Sequence, residues 1–324
     1  MLTADIRNFY GIAKDWAAAG FFETAWHRRL AADIRTTVLA GRLVSLTGVV
    51  GVGKTSLLNR LHADLAKSNN IIVARSLSVD KQRVTLPALL TALFLDVSGD
   101  IDAKVPAQNE KRERKLQELI RKSRKPVVLF IDEAHDLHGN TLTGLKRLME
   151  LIEAGEGTLS IVLVGHPRLR NELNRASMEE IGHRTTKIVY EGLGTERRPY
   201  LTWLLQECID GETDVAEIIQ DAALDLMVDR LSTPLQFMEH LTRAFAEGYS
   251  LGARPVTREI VEETISIGYE DLDARMAQLG YSPKILAEQF DTRLPEMRKF
   301  LKGRLDAERT EELGQMMRQA GLPI

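Results

Sequence analysis

The sequence predicts an α/β protein: a parallel sheet with helices on both faces, followed by two smaller all-helical regions. Three observations carry this expectation. Short apolar runs alternate with helix-period segments between about residues 41 and 194, the pattern of strands joined by crossover helices. One of those runs ends in a glycine-rich turn that opens directly into a helix. Beyond Gly194 no strand-like run recurs, and apolar residues repeat only at helical spacing.

Taken in order, residues 1–40 read as a helical segment, with apolar residues spaced through Ile6, Tyr10 and Ala13 and again through Leu30, Ile34 and Val38. Gly41 ends it. Residues 41–194 form the expected α/β domain. Its strands are Leu43–Thr47, Ile71–Arg75, Val127–Ile131, Ser160–Val164 and Lys187–Tyr190. Val127–Ile131 is a continuous apolar run, as expected of a strand buried on both faces, and Ser160–Val164 reads as another buried strand. Helices are expected at Lys54–Lys67, Pro87–Val97, Asn109–Arg124 and Thr141–Glu153, and Ser98–Gln108 reads as a loop. Pro126 stops the third helix, because proline can neither donate nor fit inside a helical turn. Residues 195–268 read as a helical lid with helices near 195–209, 217–230, 233–248 and 257–267, and residues 269–324 as a further small helical unit.

Composition excludes several classes. Hydrophobic residues make up 44% and charged residues 27% of 324 positions, the balance of a globular chain. A formal net charge of −3 leaves no whole-molecule field for nucleic acid, so any DNA site must be a local basic patch. The single cysteine, Cys208, rules out a disulfide within the chain and reads as a small buried apolar residue. No apolar run approaches the roughly 18 residues of a membrane span. The start lacks a basic end followed by an apolar core. The expectation is a cytoplasmic protein that does not enter the membrane.

Gly48-Val-Val-Gly51-Val52-Gly53-Lys54-Thr55 is a phosphate-binding loop. Glycines let the backbone wrap a phosphate chain closely, and the amides, with the helix N-terminus behind them, point at negative charge. Lys54 is expected on the β- and γ-phosphates of ATP, Thr55 on Mg²⁺, and Ser56 beside it in the first helical turn. Val127–Ile131 delivers Asp132 and Glu133 to the carboxyl end of a buried strand, where ligands of open α/β sheets bind. Asp132 is expected in the Mg²⁺ shell and Glu133 as the base that orients and deprotonates water. His166, in Gly165-His-Pro167, is either a polar sensor at a strand end or part of a surface turn, since Gly-His-Pro is also turn chemistry. Arg184, just before the last strand, is either a cation completing a neighbouring subunit's site or a solvated residue.

Together these residues resemble an AAA+ ATPase over about residues 40 to 267. Within that superfamily the chain is similar to the regulators of DNA transposition of the TnsC, TniB and phage Mu B type, and to the related ExeA-type ATPases. The resemblance rests on Phe21-Phe-Glu-Thr24, Gly48–Thr55, Phe130-Ile-Asp-Glu-Ala-His-Asp-Leu137, Val162-Leu-Val-Gly-His-Pro167 and Thr233-Pro-Leu-Gln-Phe237. It implies a sheet of order 5-1-4-3-2 and ATP held between subunits. It also implies a homo-oligomeric ring or helical filament on duplex DNA, bound without sequence preference, and a transposase or target-selector protein as partner. His166 then falls at the sensor-1 position and Arg184 at the arginine-finger position. The sensor-2 position departs from the pattern: Gln236 stands where many lids carry arginine, which implies weak coupling of lid to γ-phosphate and slow intrinsic hydrolysis. Arg243, two turns later, is the other cation in reach of that role.

The resemblance places DNA contacts after the second strand and on the helix after Asp132-Glu133, which here means Lys81, Arg83, Lys146 and Arg147. The basic residues of 109–125 are interleaved with Glu110, Glu113 and Glu118 and read as a solvated helix. In the tail, Ser282–Phe290 and Leu294–Gly303 read as two short helices joined by a turn, like a helix-turn-helix, with Arg298, Lys299 and Lys302 outward. The tail is charge-balanced as a whole, which favours protein docking over DNA reading. Two other functions fit the same motifs: an ExeA-like ATPase of secretion or envelope assembly, and a nucleotide-gated signalling scaffold with little turnover.

Overall fold

The computed structural model describes residues 2–68, 70–75, 85–100, 102–175, 178–211, 213–269, 272–278, 281–320 and 322. The chain forms two compact units: one of Ala25–Gly48 and Lys54–Tyr190, the other of Met1–Thr24, Val49–Gly53 and Glu191–Ile324. Helix α1 (Ala4–Tyr10) belongs to the second.

The first unit is the sheet unit. In chain order it holds α2 (Ala25–Leu39), β1 (Leu43–Thr47), α3 (Lys54–Ala66), β2 (Ile72–Arg75), α4 (Leu86–Ser98), α5 (Asn109–Ser123) and β3 (Val127–Ile131). It continues with α6 (Gly139–Ala154), β4 (Leu159–Gly165), α7 (Pro167–Leu173), α8 (Glu179–Gly182) and β5 (Thr185–Val189). All five strands are parallel, in the order β2-β3-β4-β1-β5. Read from the other edge, this is the 5-1-4-3-2 order the sequence resemblance implies. Every residue of β1, β3 and β4 is buried, which accounts for their mainly apolar composition; Ser45, Thr47 and Ser160 are the buried polar exceptions. Helices cover the faces through apolar stripes such as Leu57, Leu58, Leu61 and Leu65 of α3.

Helix α5 is less solvated than its charges suggest. Arg112 is buried, and its guanidinium donates to the carbonyls of Pro106 (3.0 Å) and Pro87 (3.1 Å), pinning the loop before the helix. Helix α7 was not expected. Pro167 sits in its first turn, where proline's missing N–H costs nothing, so the Gly-His-Pro sequence starts a helix rather than a surface turn.

The second unit is helical. After α1 it holds α9 (Arg197–Cys208), α10 (Val215–Ile218), α11 (Asp221–Arg230), α12 (Pro234–Ser250) and α13 (Arg258–Tyr269). Then follow α14 (Leu272–Gln278), α15 (Pro283–Gln289), α16 (Leu294–Leu301) and α17 (Ala307–Gln319). The helix expected at 217–230 is two, α10 and α11, separated where Ile219 bridges to Val256.

The start of the chain is built into this unit's core. Tyr10 is fully buried, stacks edge-on against Phe245 at 4.7 Å and donates its hydroxyl to the Ala253 carbonyl at 2.7 Å. Ala13 N–H donates to the Cys208 carbonyl at 2.8 Å. Residues 1–24 therefore group with the helices after Tyr190, while α2 groups with the sheet. Cys208 is buried and free, and burial pushes its thiol up to about 11.

Removing only the Tyr10 hydroxyl leaves the Ala253 carbonyl short of a partner. The Tyr10→Phe variant is expected to lose about 1 kcal/mol in a urea melt. An unchanged midpoint would mean that this hydrogen bond contributes nothing net to the helical unit.

Candidate functional site

Parallel register brings three strand ends to one edge of the sheet. Thr47 of β1 pairs with Gly165 of β4, and Ile131 of β3 pairs with Leu163. Asp132, Glu133 and His166 therefore leave the sheet side by side, at the edge where β1 runs into the glycine loop.

The loop begins with Gly48, whose N–H donates to the Gly165 carbonyl at 3.1 Å. Gly51 and Gly53 have φ of +80° and +103°, values open to glycine and strained for any other residue. Lys54 opens α3, and its ammonium donates to the Gly48 carbonyl at 2.8 Å, so it lies across the loop's own base. Burial pushes the Lys54 pKa down, while the carboxylates of Glu133 and then Asp132 oppose the shift. Thr55 follows, and its hydroxyl donates to Asp132 Oδ2 at 3.0 Å. Ser56 is exposed in the same first turn.

The structure brings Lys54, Thr55 and Asp132 together, although 77 residues separate the last two. A hydroxyl and a carboxylate oxygen at hydrogen-bond distance are hard oxygen donors, the set Mg²⁺ takes together with phosphate oxygens. Thr55 and Asp132 are the residues that would hold it. Asp132 Oδ1 also accepts from Glu133 N–H at 2.9 Å, which fixes the carboxylate's rotation.

Glu133 sits at φ +53°, in the left-handed region. A glutamate there is strained, and such strain concentrates at functional positions. The turn lifts its half-exposed carboxylate clear of the strand, 3.4 Å from His135 Nδ1. His135 is a residue the sequence reading quoted but gave no role. Its Nδ1 accepts the His166 N–H at 3.3 Å, so it joins the ends of β3 and β4. A Cβ on Gly165 would stand 3.1 Å from His135 N and 3.2 Å from its Nδ1, so glycine suits the position. The adjacent Asp132, Glu133 and His135 were the available signal; the contact across strands was not.

His166 is buried, not part of a surface turn. Its Nδ1 caps α7 by accepting the Arg168 N–H at 3.3 Å, which leaves the ring proton on Nε2. Burial, then the charges of His135, Lys54 and Arg168, hold its pKa down to about 3, so the ring is a neutral donor at physiological pH.

Other expected residues stand elsewhere. Arg184 immediately precedes β5 with an exposed side chain, and its guanidinium pairs with Glu150 at 2.8 Å. Lys146 is engaged by Glu180 at 2.6 Å and Glu150 at 3.4 Å, whereas Arg147 is exposed. Lys81 and Arg83 lie outside the described residues.

In the helical unit, Gln236 is turned inward. Its Oε1 accepts from the N–H groups of Ser232 (2.9 Å) and Thr233 (3.1 Å), while Thr233 Oγ1 accepts the Gln236 N–H at 3.3 Å. This is a reciprocal cap of α12. The next free amide of that helix, Leu235 N–H, donates to the Gly51 carbonyl at 3.2 Å. Arg243 pairs with Glu239.

Residues 39–173 match the family model described as an AAA domain, a stretch running from the end of α2 through α7. No curated protein matches the sequence. Among solved structures, the Aeropyrum pernix ORC2 protein in its ADPNP–ADP complexes is similar over 95% of this chain and 90% of its own, with 13% identity and a TM-score of 0.58. Cdc6p from Pyrobaculum aerophilum is similar over 96% and 91%, with 13% identity and a TM-score of 0.57. The structure of Drosophila ORC bound to DNA is similar over 98% and 79%, with 13% identity and a TM-score of 0.52. At that identity the likeness is one of fold: an AAA+ P-loop architecture with a five-stranded parallel sheet.

The buried neutral His166 has a measurable consequence. The unfolded chain takes up this proton near pH 6.5, whereas the folded ring resists it until about pH 3. Its contribution to stability is therefore complete above pH 6.5 and is lost as pH falls towards 3. Denaturant melts at about pH 7.5 and about pH 5 should show a smaller acid loss in His166→Asn, which keeps a capping side chain, than in the wild type. Equal losses would contradict a neutral His166.

Proposed function

We propose that this protein is an Mg²⁺-dependent AAA+ ATPase that assembles on duplex DNA and regulates DNA transposition, selecting target sites and recruiting a transposase. The observation that carries the ATPase reading is the meeting of Thr55 with Asp132 at 3.0 Å, beside Lys54 and Glu133. Four residues from two distant segments form the set that phosphoryl transfer to water requires.

In this reading the loop amides and Lys54 hold the phosphate chain of ATP. Mg²⁺, when bound, neutralises charge that builds on the phosphate oxygens during transfer. Glu133 orients a water and takes its proton, and the strained backbone beneath it keeps the carboxylate aimed. Neutral His166, on the neighbouring strand, donates toward the developing negative charge. Arg184 acts on the nucleotide of an adjacent copy once it leaves Glu150. An exposed ion pair of this kind is worth only about 0–1 kcal/mol, so its release costs little.

The DNA part is supported by the fold shared with an ORC assembly bound to DNA. The transposition part rests on the short motifs at 21–24, 130–137, 162–167 and 233–237. Hydrolysis would dismantle the assembly.

Two variants separate binding from turnover. Lys54→Ala is expected to abolish ATP-dependent retention of duplex DNA in a gel-shift assay; full retention would refute nucleotide control. Glu133→Gln is expected to bind ATP normally, lower kcat at least about 100-fold and leave assemblies long-lived on DNA. Fast disassembly by that variant would identify a different base.

A further inference from the structure

The tail's balanced charge conceals a separation that the fold makes visible. Helices α15 and α16 are joined by a turn in which Asp291 takes φ +49°. Leu286 and Ala287 of α15 and Met297, Phe300 and Leu301 of α16 are buried, as are Leu313 and Met317 of α17. The opposite side carries Arg293, Arg298, Lys299, Lys302 and Arg304, all exposed. None of the five is in an ion pair among the described residues. The one carboxylate of α16, Glu296, is drawn away by Arg309 at 2.7 Å, and Arg309 also binds Glu312. The acids of α17 are thus spent partly on their own helix's arginine.

Helix stability alone does not account for this face. Cations in the last turn of α16 favour its dipole by about 0.3–1 kcal/mol each. Arg293, however, is the N-cap of α16 and makes no side-chain capping bond, so a cation stands at the positive end of the helix where Ser, Thr, Asp or Asn would stabilise it. Arg298 and Lys302 are also like charges four residues apart, a spacing that costs about 0.2–0.5 kcal/mol. Both features oppose folding and both raise positive potential on one surface.

We propose that the outer face of α16, with Arg293 and Arg304 at its two ends, is a docking surface for the phosphate backbone of duplex DNA. This rests on the DNA-binding reading above and extends it to a site outside the AAA domain. Lys146, one of the residues expected on DNA, is held by two carboxylates, whereas the cations of α16 are held by none among the described residues. Contacts of this type go to phosphates and are indifferent to base sequence.

The test uses the full chain with a slowly hydrolysed ATP analogue and a fluorescently labelled duplex of random sequence, with anisotropy read over a salt series. Replacing Arg298, Lys299 and Lys302 together by Ala is expected to weaken binding at least about tenfold and to flatten the log–log salt slope by about 3, near one unit per lost phosphate contact. The charge-keeping triple R298K/K299R/K302R should bind like wild type, and nucleotide affinity should be equal in all three proteins, which excludes misfolding. If the alanine triple retains wild-type affinity and slope while wild type binds duplex, the α16 surface is refuted and the DNA reading stands. If wild type itself fails to bind duplex with the ATP analogue, both are overturned.

Discussion

The site depends on a parallel register. Neighbouring strands lie about 4.8 Å apart, so β1 and β3, with β4 between them, end about 10 Å apart. β1 delivers the loop and Lys54, β3 delivers Asp132 and Glu133, and β4 delivers His166 between them. A one-residue slip of β4 against either neighbour would turn its side chains to the opposite face and separate these groups. The unbroken burial of β1, β3 and β4 prevents such a slip, because every alternative register disrupts the packing on both faces. The core of the sheet therefore sets the geometry of the chemistry at its edge.

Strain accumulates where that edge turns. Glu133 is held in a left-handed conformation, and the following turn returns His135 to the end of β4. Gly165 is the residue that permits this approach. The cost of the Glu133 backbone is met by hydrogen bonds on either side: Asp132 Oδ1 accepts from its N–H, and the His135 ring accepts from His166.

Much of this was legible in the sequence, for physical reasons that also explain what was not. The strand β3 announced itself because burial on both faces favours a continuous apolar run, and the glycine loop because few residue sets permit its dihedrals. The local signals for α7 were misleading: proline after glycine and histidine reads as a turn, yet proline in a first helical turn is equally stable. Of the two partners of Lys146, Glu150 stands four residues on and was open to a helical reading, whereas Glu180, the nearer one, is 34 positions away and was not. Residues 1–24 looked continuous with α2 by periodicity, but periodicity reports a buried face and not what it is buried against.

Gln236 carries the last step. Thr233-Pro-Leu-Gln236 is at once a departure from the sensor-2 pattern and a capping box, and the fold uses it as the second. With Gln236 accepting from Ser232 and Thr233, the amide of Leu235 is left over at the N-terminus of α12, and it donates to the Gly51 carbonyl. A Cβ at Gly51 would stand 2.7 Å from Leu235 Cβ, so the loop and the helix approach as closely as glycine allows. A backbone hydrogen bond, with no charged side chain as intermediary, therefore ties Gly51 to the first turn of α12.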